Sequence, residues 1–206
     1  FSSYIAPVLN SGADVLVLNH YGGNMVNSLT NAVQFGLRDK VVNNKNFEII
    51  VPLYSRLMAK GAGVNVKGIF GSTNWHWSLQ DEGSKAFVKS FGTKYGFPPS
   101  QAAHTVYCQT LLYADACNRA GTFNPCGVGE ALEGFEFDGL GNGKTLYRAD
   151  DHQCFKDVLV VKGKENPTSE FDLLEIVEVT PMEQVKYAPD HPMFAGGDLG
   201  ACNPGA

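Results

Sequence analysis

Apolar positions recur along this chain with two alternating periods. Tyr4, Ile5, Val8 and Leu9 fall at helical spacing and Gly12 stops the run, so the chain is expected to begin inside a helix. Val15-Leu16-Val17-Leu18, between Asp14 and Asn19, is a short unbroken apolar run, predicted as a strand buried on both faces. Gly22-Gly23-Asn24 turns the chain into a second helix carrying Val26, Leu29 and Val33 on one face, with Asn24 as N-cap and Gly36 as stop. The pattern repeats with a strand over Glu48–Val51, a short helix from Ser55 to Lys60 and a third strand over Val66–Ser72. Strands alternating with helices predict an α/β fold with a doubly wound sheet.

Two longer helices follow. One holds Phe87, Val88, Phe91 and Tyr95 before Gly96. The next, capped by Pro98-Pro99-Ser100, holds Ala103, Tyr107, Thr110, Ala114 and Cys117 before Gly121. A short helix over Val128–Leu132 leads to Phe135-Glu136-Phe137, a turn over 138–143 and a strand over Thr145–Arg148. Val158–Val161 and Leu173–Val179 are further strands, and the Pro- and Gly-rich tail from Ala188 is expected to be irregular.

Composition narrows the function classes. The 206 residues are 44% hydrophobic and 18% charged, an ordinary globular balance that argues against disorder. A formal net charge of -5 without a Lys/Arg-rich run gives no electrostatic footprint for nucleic acid or anionic lipid. No apolar run reaches the roughly 18 residues of a membrane span, and the opening Phe1-Ser2-Ser3-Tyr4 has no signal-peptide pattern, so any export signal is expected to have been removed. Cys108, Cys117, Cys126, Cys154 and Cys202 form no C-x-x-C pair, and no zinc site or other metal is expected. Cys108 and Cys117 lie nine positions apart on one predicted helix, which puts them on opposite faces at about 100° per residue. Pairing of Cys117 with Cys126, pairing of Cys154 with Cys202, and buried reduced cysteines all remain open.

Most candidate chemical motifs fail on inspection. Gly139-Leu140-Gly141-Asn142-Gly143-Lys144-Thr145 suggests a phosphate loop, but Asp138 stands where that motif needs glycine, and a strand follows instead of a helix; it reads as a hairpin turn. Neither a G-x-S-x-G elbow nor an H-E-x-x-H motif is present, and His20, His76, His104, His152 and His191 are scattered. Asn19-His20-Tyr21-Gly22-Gly23 stands out because it joins a strand's carboxyl end to a helix, where open α/β sheets bind ligands. Pro52-Leu53-Tyr54 occupies the same position after the next strand. Asn74-Trp75-His76-Trp77 follows the third, as an aromatic pocket wall or a packed hinge.

These residues also carry a resemblance. Ser11–Val17 with Tyr21-Gly22-Gly23 and the Ala32–Leu37 stretch is similar to the second lobe of leucine/isoleucine/valine-type periplasmic binding proteins. So are Phe87-Val88 through Lys94-Tyr95-Gly96-Phe97-Pro98-Pro99-Ser100, then Val106-Tyr107 through Leu111–Ala116 with Arg119-Ala120-Gly121, and Ala131–Phe137 with Gly139. The match runs from about residue 3 to about residue 162.

The resemblance implies a type I solute-binding protein of an ABC importer. Two α/β lobes would be joined by three crossings, with solute held in the cleft and released to a membrane permease outside the cytoplasm. No cofactor or catalytic residue is expected. By position, residues 1–73 and 154–206 would belong to the second lobe and 74–153 to the first. Asn19, His20, Tyr21, Gly22, Leu53, Tyr54, Trp75 and Tyr107 would contact the solute. The family's N-terminal half has no counterpart here, so the fold is expected to be incomplete without a further polypeptide, and the tail from Glu183 departs from the family pattern. The solute would be an amino acid, the family default, or an apolar or aromatic organic acid or amide. A ligand-sensing receptor or regulatory domain of the same fold is the alternative. A Rossmann-type enzyme would need a G-x-G-x-x-G loop that Gly22-Gly23 does not supply.

Overall fold

The structure, a computed structural model, describes residues 1–192 and 200–202. In chain order its elements are α1 (Ser2–Leu9), β1 (Val15–Val17), α2 (Gly22–Gln34), β2 (Val41–Val42), β3 (Lys45–Asn46), β4 (Glu48–Val51), α3 (Arg56–Ala62) and β5 (Phe70–Thr73). They continue with α4 (Glu82–Tyr95), α5 (Gln101–Ala120), α6 (Pro125–Leu132), β6 (Glu136–Phe137), β7 (Thr145–Tyr147), β8 (Cys154–Phe155), β9 (Val158–Gly163), β10 (Leu174–Thr180) and α7 (Met182–Val185). No helix among the described residues is long and apolar enough to cross a membrane.

Two compact units emerge, one of residues 1–76 and 159–179, the other of residues 77–158 and 180–206. The expected division, 1–73 and 154–206 against 74–153, departs from these units at residues 74–76, 154–158 and 180–206. The segment after β10 is fastened to the second unit by a Cys126–Cys202 disulfide, by Asp157 Oδ1 accepting from the Met182 amide at 2.8 Å, and by Arg148 donating to the Tyr187 carbonyl. The disulfide matches neither pairing considered from spacing, and Cys108, Cys117 and Cys154 are free.

The first unit is built on a five-stranded sheet in the order β1-β4-β5-β9-β10. β1, β4 and β5 run parallel, as continuous apolar strands joined through helices require, and β9 returns antiparallel on β5. The registers place Ile49, Val51, Gly71, Thr73, Leu159 and Val161 on one face, all buried. Helices α2 and α3 bury Met25, Leu29 and Ala32, and Met58, Ala59 and Ala62. The alternate residues face the other way and are less covered. Val15 (42% exposed) and Val17 (50%) overturn the expectation of a doubly buried first strand. β1 is an edge strand, and Val15 and Val17 lie on its more exposed face.

Two further expectations shift, by three and four positions. α2 starts at Gly22, with Tyr21 as an N-cap that forms no side-chain capping bond, so Asn24 lies inside the first turn. Its buried stripe is Met25, Ser28, Leu29 and Ala32, with Val26 and Val33 at the margin. The strand predicted from Val66 begins at Phe70, because a 3-10 turn over Gly63–Val66 and the left-handed Gly68 (φ +75°) come first.

The second unit packs α5 on α6 through Ala116, Cys117 and Val128, with Ala131 and Leu132 against them. α5 buries His104, Cys108, Leu112 and Ala116, whereas most of the stripe read from the sequence, Tyr107, Thr110 and Ala114, points outward. A three-stranded sheet β6-β7-β8 completes it, and residues 138–143 form the expected turn between β6 and β7. That turn lies over the start of α4. Asp81 Oδ2 accepts from the Asn142 amide (3.4 Å), His104 Nε2 donates to the Leu140 carbonyl (2.7 Å), and Lys156 donates to the Gly141 carbonyl (3.2 Å).

Candidate functional site

Parallel pairing brings the carboxyl ends of β1, β4 and β5 to the same edge of the first unit's sheet. Leu18 closes the core there, its amide donating to the Ile50 carbonyl (2.8 Å), and the chain then leaves the sheet as Asn19-His20-Tyr21. All three are exposed. Tyr21 is extended (φ -125°, ψ 158°), and Gly22 turns the backbone at φ +57° into α2, a conformation that a side chain at this position would strain. A Cβ at Gly22 or Gly23 would meet nothing within 4 Å, so the backbone at this helix start is open to approach.

His20 is oriented from two sides. The edge of its ring meets Phe1 at 5.0 Å between centroids, and Nδ1 lies 3.0 Å from Ser28 Oγ. Because the Ser28 hydroxyl donates to the Met25 carbonyl (3.1 Å), the neutral imidazole donates from Nδ1 and keeps a lone pair on Nε2. Asn19 adds an amide and Tyr21 a phenol at the same strand end. Leu53, 60% exposed, stands at the neighbouring end of β4.

The other residues named from the sequence fall elsewhere. Tyr54 is 1% exposed, its ring packed against Gly71, where a Cβ would lie 2.3 Å from the Val51 carbonyl oxygen and 2.6 Å from the tyrosine ring. Its amide donates to the Ser72 carbonyl (2.8 Å), its hydroxyl has no hydrogen-bond partner among the described residues, and burial raises the phenol far above its ordinary pKa. Trp75 is equally buried, with its carbonyl accepting from Thr73 Oγ1 (3.2 Å), which favours a packed role over a pocket wall. Both belong to the core as folded. Tyr107 lies in the second unit, 39% exposed and stacked on Phe87 at 4.6 Å. Thus Asn19, His20, Tyr21, Gly22 and Leu53 share one edge, Tyr54 and Trp75 are buried, and Tyr107 belongs to the second unit.

A buried basic cluster escaped the sequence reading. Arg56 opens α3 directly after Ser55, whose Oγ accepts from the Met58 amide (3.2 Å), and is itself buried. Its guanidinium lies 5.3 Å from the Phe171 ring centroid; desolvation lowers its pKa, and Glu170 opposes the shift. His76 shares these surroundings and is held down to about 4, by burial first and then by Lys164, while Lys164 itself is paired with Asp172 at 2.5 Å. One arginine after a helix cap has no periodicity to betray its burial. No group of three or more metal-ligating side chains occurs among the described residues.

A model of the periplasmic binding protein family matches residues 1–168. The chain belongs to that family. A comparison with curated proteins gives no match. Among solved structures, a periplasmic binding protein from Burkholderia mallei is 23% identical with a TM-score of 0.77, covering 91% of this chain and 48% of its own. A branched-chain amino-acid ABC transporter periplasmic ligand-binding protein from Burkholderia xenovorans is 26% identical with a TM-score of 0.71 (89% and 48%). A solute-binding protein of an ABC transporter from Rhodopseudomonas palustris, in complex with 3,4-dihydroxybenzoic acid, is 14% identical with a TM-score of 0.71 (88% and 49%). The binding protein described here therefore has the type I α/β fold and spans about half the length of the structures it matches.

Proposed function

We propose that this chain is the C-terminal part of an extracytoplasmic solute-binding component of an ABC importer. It would capture a small solute, an amino acid or an apolar or aromatic organic acid or amide, and pass it to a membrane permease without chemistry on the solute. The observation that carries this reading is the shared edge where Asn19, His20, Tyr21 and Leu53 stand exposed beside the open backbone of Gly22-Gly23. Such an edge offers hydrogen-bonding groups and apolar surface of the kind that holds a small solute. Residues 1–76 with 159–179 would form the lobe that carries this edge.

A complementary polypeptide is part of the proposal. Val15 and Val17 leave an apolar edge and face uncovered, and Tyr95, Phe97, Tyr107 and Leu111 are exposed on and beside α4 and α5. Surfaces of this kind are ordinarily covered. Native mass spectrometry of material purified from its natural source is expected to show a further polypeptide segment of about this chain's length, joined or associated.

The solute reading is tested on the intact binding protein by titrating L-leucine, benzoate and benzamide by calorimetry. At least one should bind. A combined His20→Ala and Tyr21→Ala variant should weaken that binding at least about tenfold, with little change in thermal midpoint because both side chains are exposed. Unchanged affinity in the variant would overturn the site, and binding of none of the three would overturn the solute class.

A further inference from the structure

Asn19, His20 and Tyr21 stand exposed at the carboxyl end of β1, and they differ in what they can offer a bound molecule. The Asn19 amide can turn over to present either its oxygen or its NH2 group, and the Tyr21 hydroxyl can donate or accept. Neither fixes the polarity of its partner. His20 does, because its ring is set by residues behind it. Phe1 meets it edge-on at 5.0 Å between centroids, and Nδ1 lies 3.0 Å from Ser28 Oγ.

Ser28 belongs to the inward stripe of α2 and is fully buried. Its hydroxyl carries one proton, and the Met25 carbonyl 3.1 Å away takes it, since a carbonyl has none to give. Toward His20 the same oxygen can therefore only accept. The ring proton is held on Nδ1, and the neutral imidazole presents Nε2 outward as a lone pair, with no hydrogen-bond partner among the described residues. Free histidine favours the opposite form, with the proton on Nε2. Ser28 thus selects a tautomer that an exposed imidazole would not adopt by itself.

We propose that Ser28 is a positioning residue that makes His20 an acceptor, and that the solute taken at this edge carries an N–H or O–H group for His20 Nε2. This rests on the solute-binding reading above and narrows it to solutes with an ammonium, amide or hydroxyl group, against plain carboxylates. A solute that covers the edge strips water from Nε2. A donor restores the lost hydrogen bond, whereas a carboxylate sets lone pair against lone pair and leaves the nitrogen unsatisfied. L-Leucine and benzamide each carry such a donor. Benzoate has nearly the shape of benzamide and carries none, and isocaproate is L-leucine without its ammonium group.

The test uses the intact binding protein at about pH 8.5, where an ordinary imidazole is neutral. NMR of the histidine ring nitrogens, assigned through a His20→Ala variant, reads the tautomer without any solute. Wild-type His20 should carry its proton on Nδ1, and Ser28→Ala should move it to Nε2. That variant should stay folded, because alanine fits where serine fits and favours a helix. Calorimetry then compares benzamide with benzoate and L-leucine with isocaproate. In the pair that binds, the wild type should prefer the donor-bearing solute at least about tenfold, and Ser28→Ala should reduce that preference at least about fivefold. A wild-type ring protonated on Nε2, equal or tighter binding of the donor-free solutes, or an unaltered preference in Ser28→Ala would each overturn the inference while leaving the edge a solute site. Binding of none of the four, or unchanged affinity when His20 and Tyr21 are both alanine, would overturn instead the solute site on which it rests.

Discussion

At the scale of single residues, burial separates tyrosines that the sequence presents as equivalents. Tyr21 and Tyr54 both follow a parallel strand, yet one is exposed and the other seals the core over Gly71. The difference lies in the next element. Four residues separate strand from helix in both places, but Tyr21 is itself the N-cap of α2, whereas Tyr54 comes one position earlier, before the capping Ser55 of α3. A buried phenol hydroxyl without a partner costs stability. Tyr54→Phe is therefore expected to leave stability unchanged or raise it by up to about 1 kcal/mol, whereas Tyr54→Ala should lose about 3–5 kcal/mol. Denaturant unfolding curves for the two variants measure both effects. A stability loss for Tyr54→Phe matching that for Tyr54→Ala would show that the hydroxyl is held after all.

At the scale of elements, helix starts separate local signals that work from those that do not. Ser100 accepts from the Ala103 amide (3.2 Å) and Asp81 from the Ser84 amide (2.8 Å), so two of the longest helices begin on side-chain caps. Asn24 has no such role. Ser100→Ala should cost about 1 kcal/mol in chemical denaturation, and Asn24→Ala should change little or add slight stability through better helix propensity. The order of helices and strands was legible because apolar periodicity and cap residues act over a few positions. The orientation of α5 was not. Tyr107, Thr110 and Ala114 make as good a stripe as His104, Cys108, Leu112 and Ala116, and only the neighbours, the Leu140 carbonyl above all, decide which turns inward. The exposure of Val15 and Val17 was hidden for the same reason, since an apolar strand reads alike whether or not a layer covers its second face. At the candidate site the strand-end loop was legible from Gly22-Gly23, whereas the burial of Tyr54, Trp75 and Arg56 depends on packing partners far along the chain.

At the scale of the whole molecule, two histidines tie stability to pH. His76 and His104 are both held down to about 4; desolvation is the main cause in each, Lys164 adds to it at His76, and the hydrogen bond to Leu140 opposes it at His104. Unfolded, both would titrate near 6.5. Between those values the unfolded chain binds protons that the native chain refuses, so native stability is complete above about 6.5 and declines as pH falls toward about 4. The thermal midpoint should therefore drop by on the order of 5 °C between pH 7 and pH 5, and a His76→Gln, His104→Gln variant should show a flatter profile over that interval, whatever its absolute stability. Calorimetric scans at constant ionic strength make the comparison.

The turn over α4 has one more consequence, in chemical ageing. Asn142 precedes Gly143, the dipeptide in which an unhindered glycine nitrogen most readily attacks the asparagine side-chain amide and leaves an isoaspartate. Here Asn142 is buried in a left-handed conformation (φ 60°) and its amide is committed to the Asp157 carbonyl at 2.9 Å. The attack needs that bond broken and the backbone turned, so intact turns do not age. Isoaspartate at position 142 would accumulate only in molecules whose turn has opened, giving stored protein a covalent record of how often the second unit breathes.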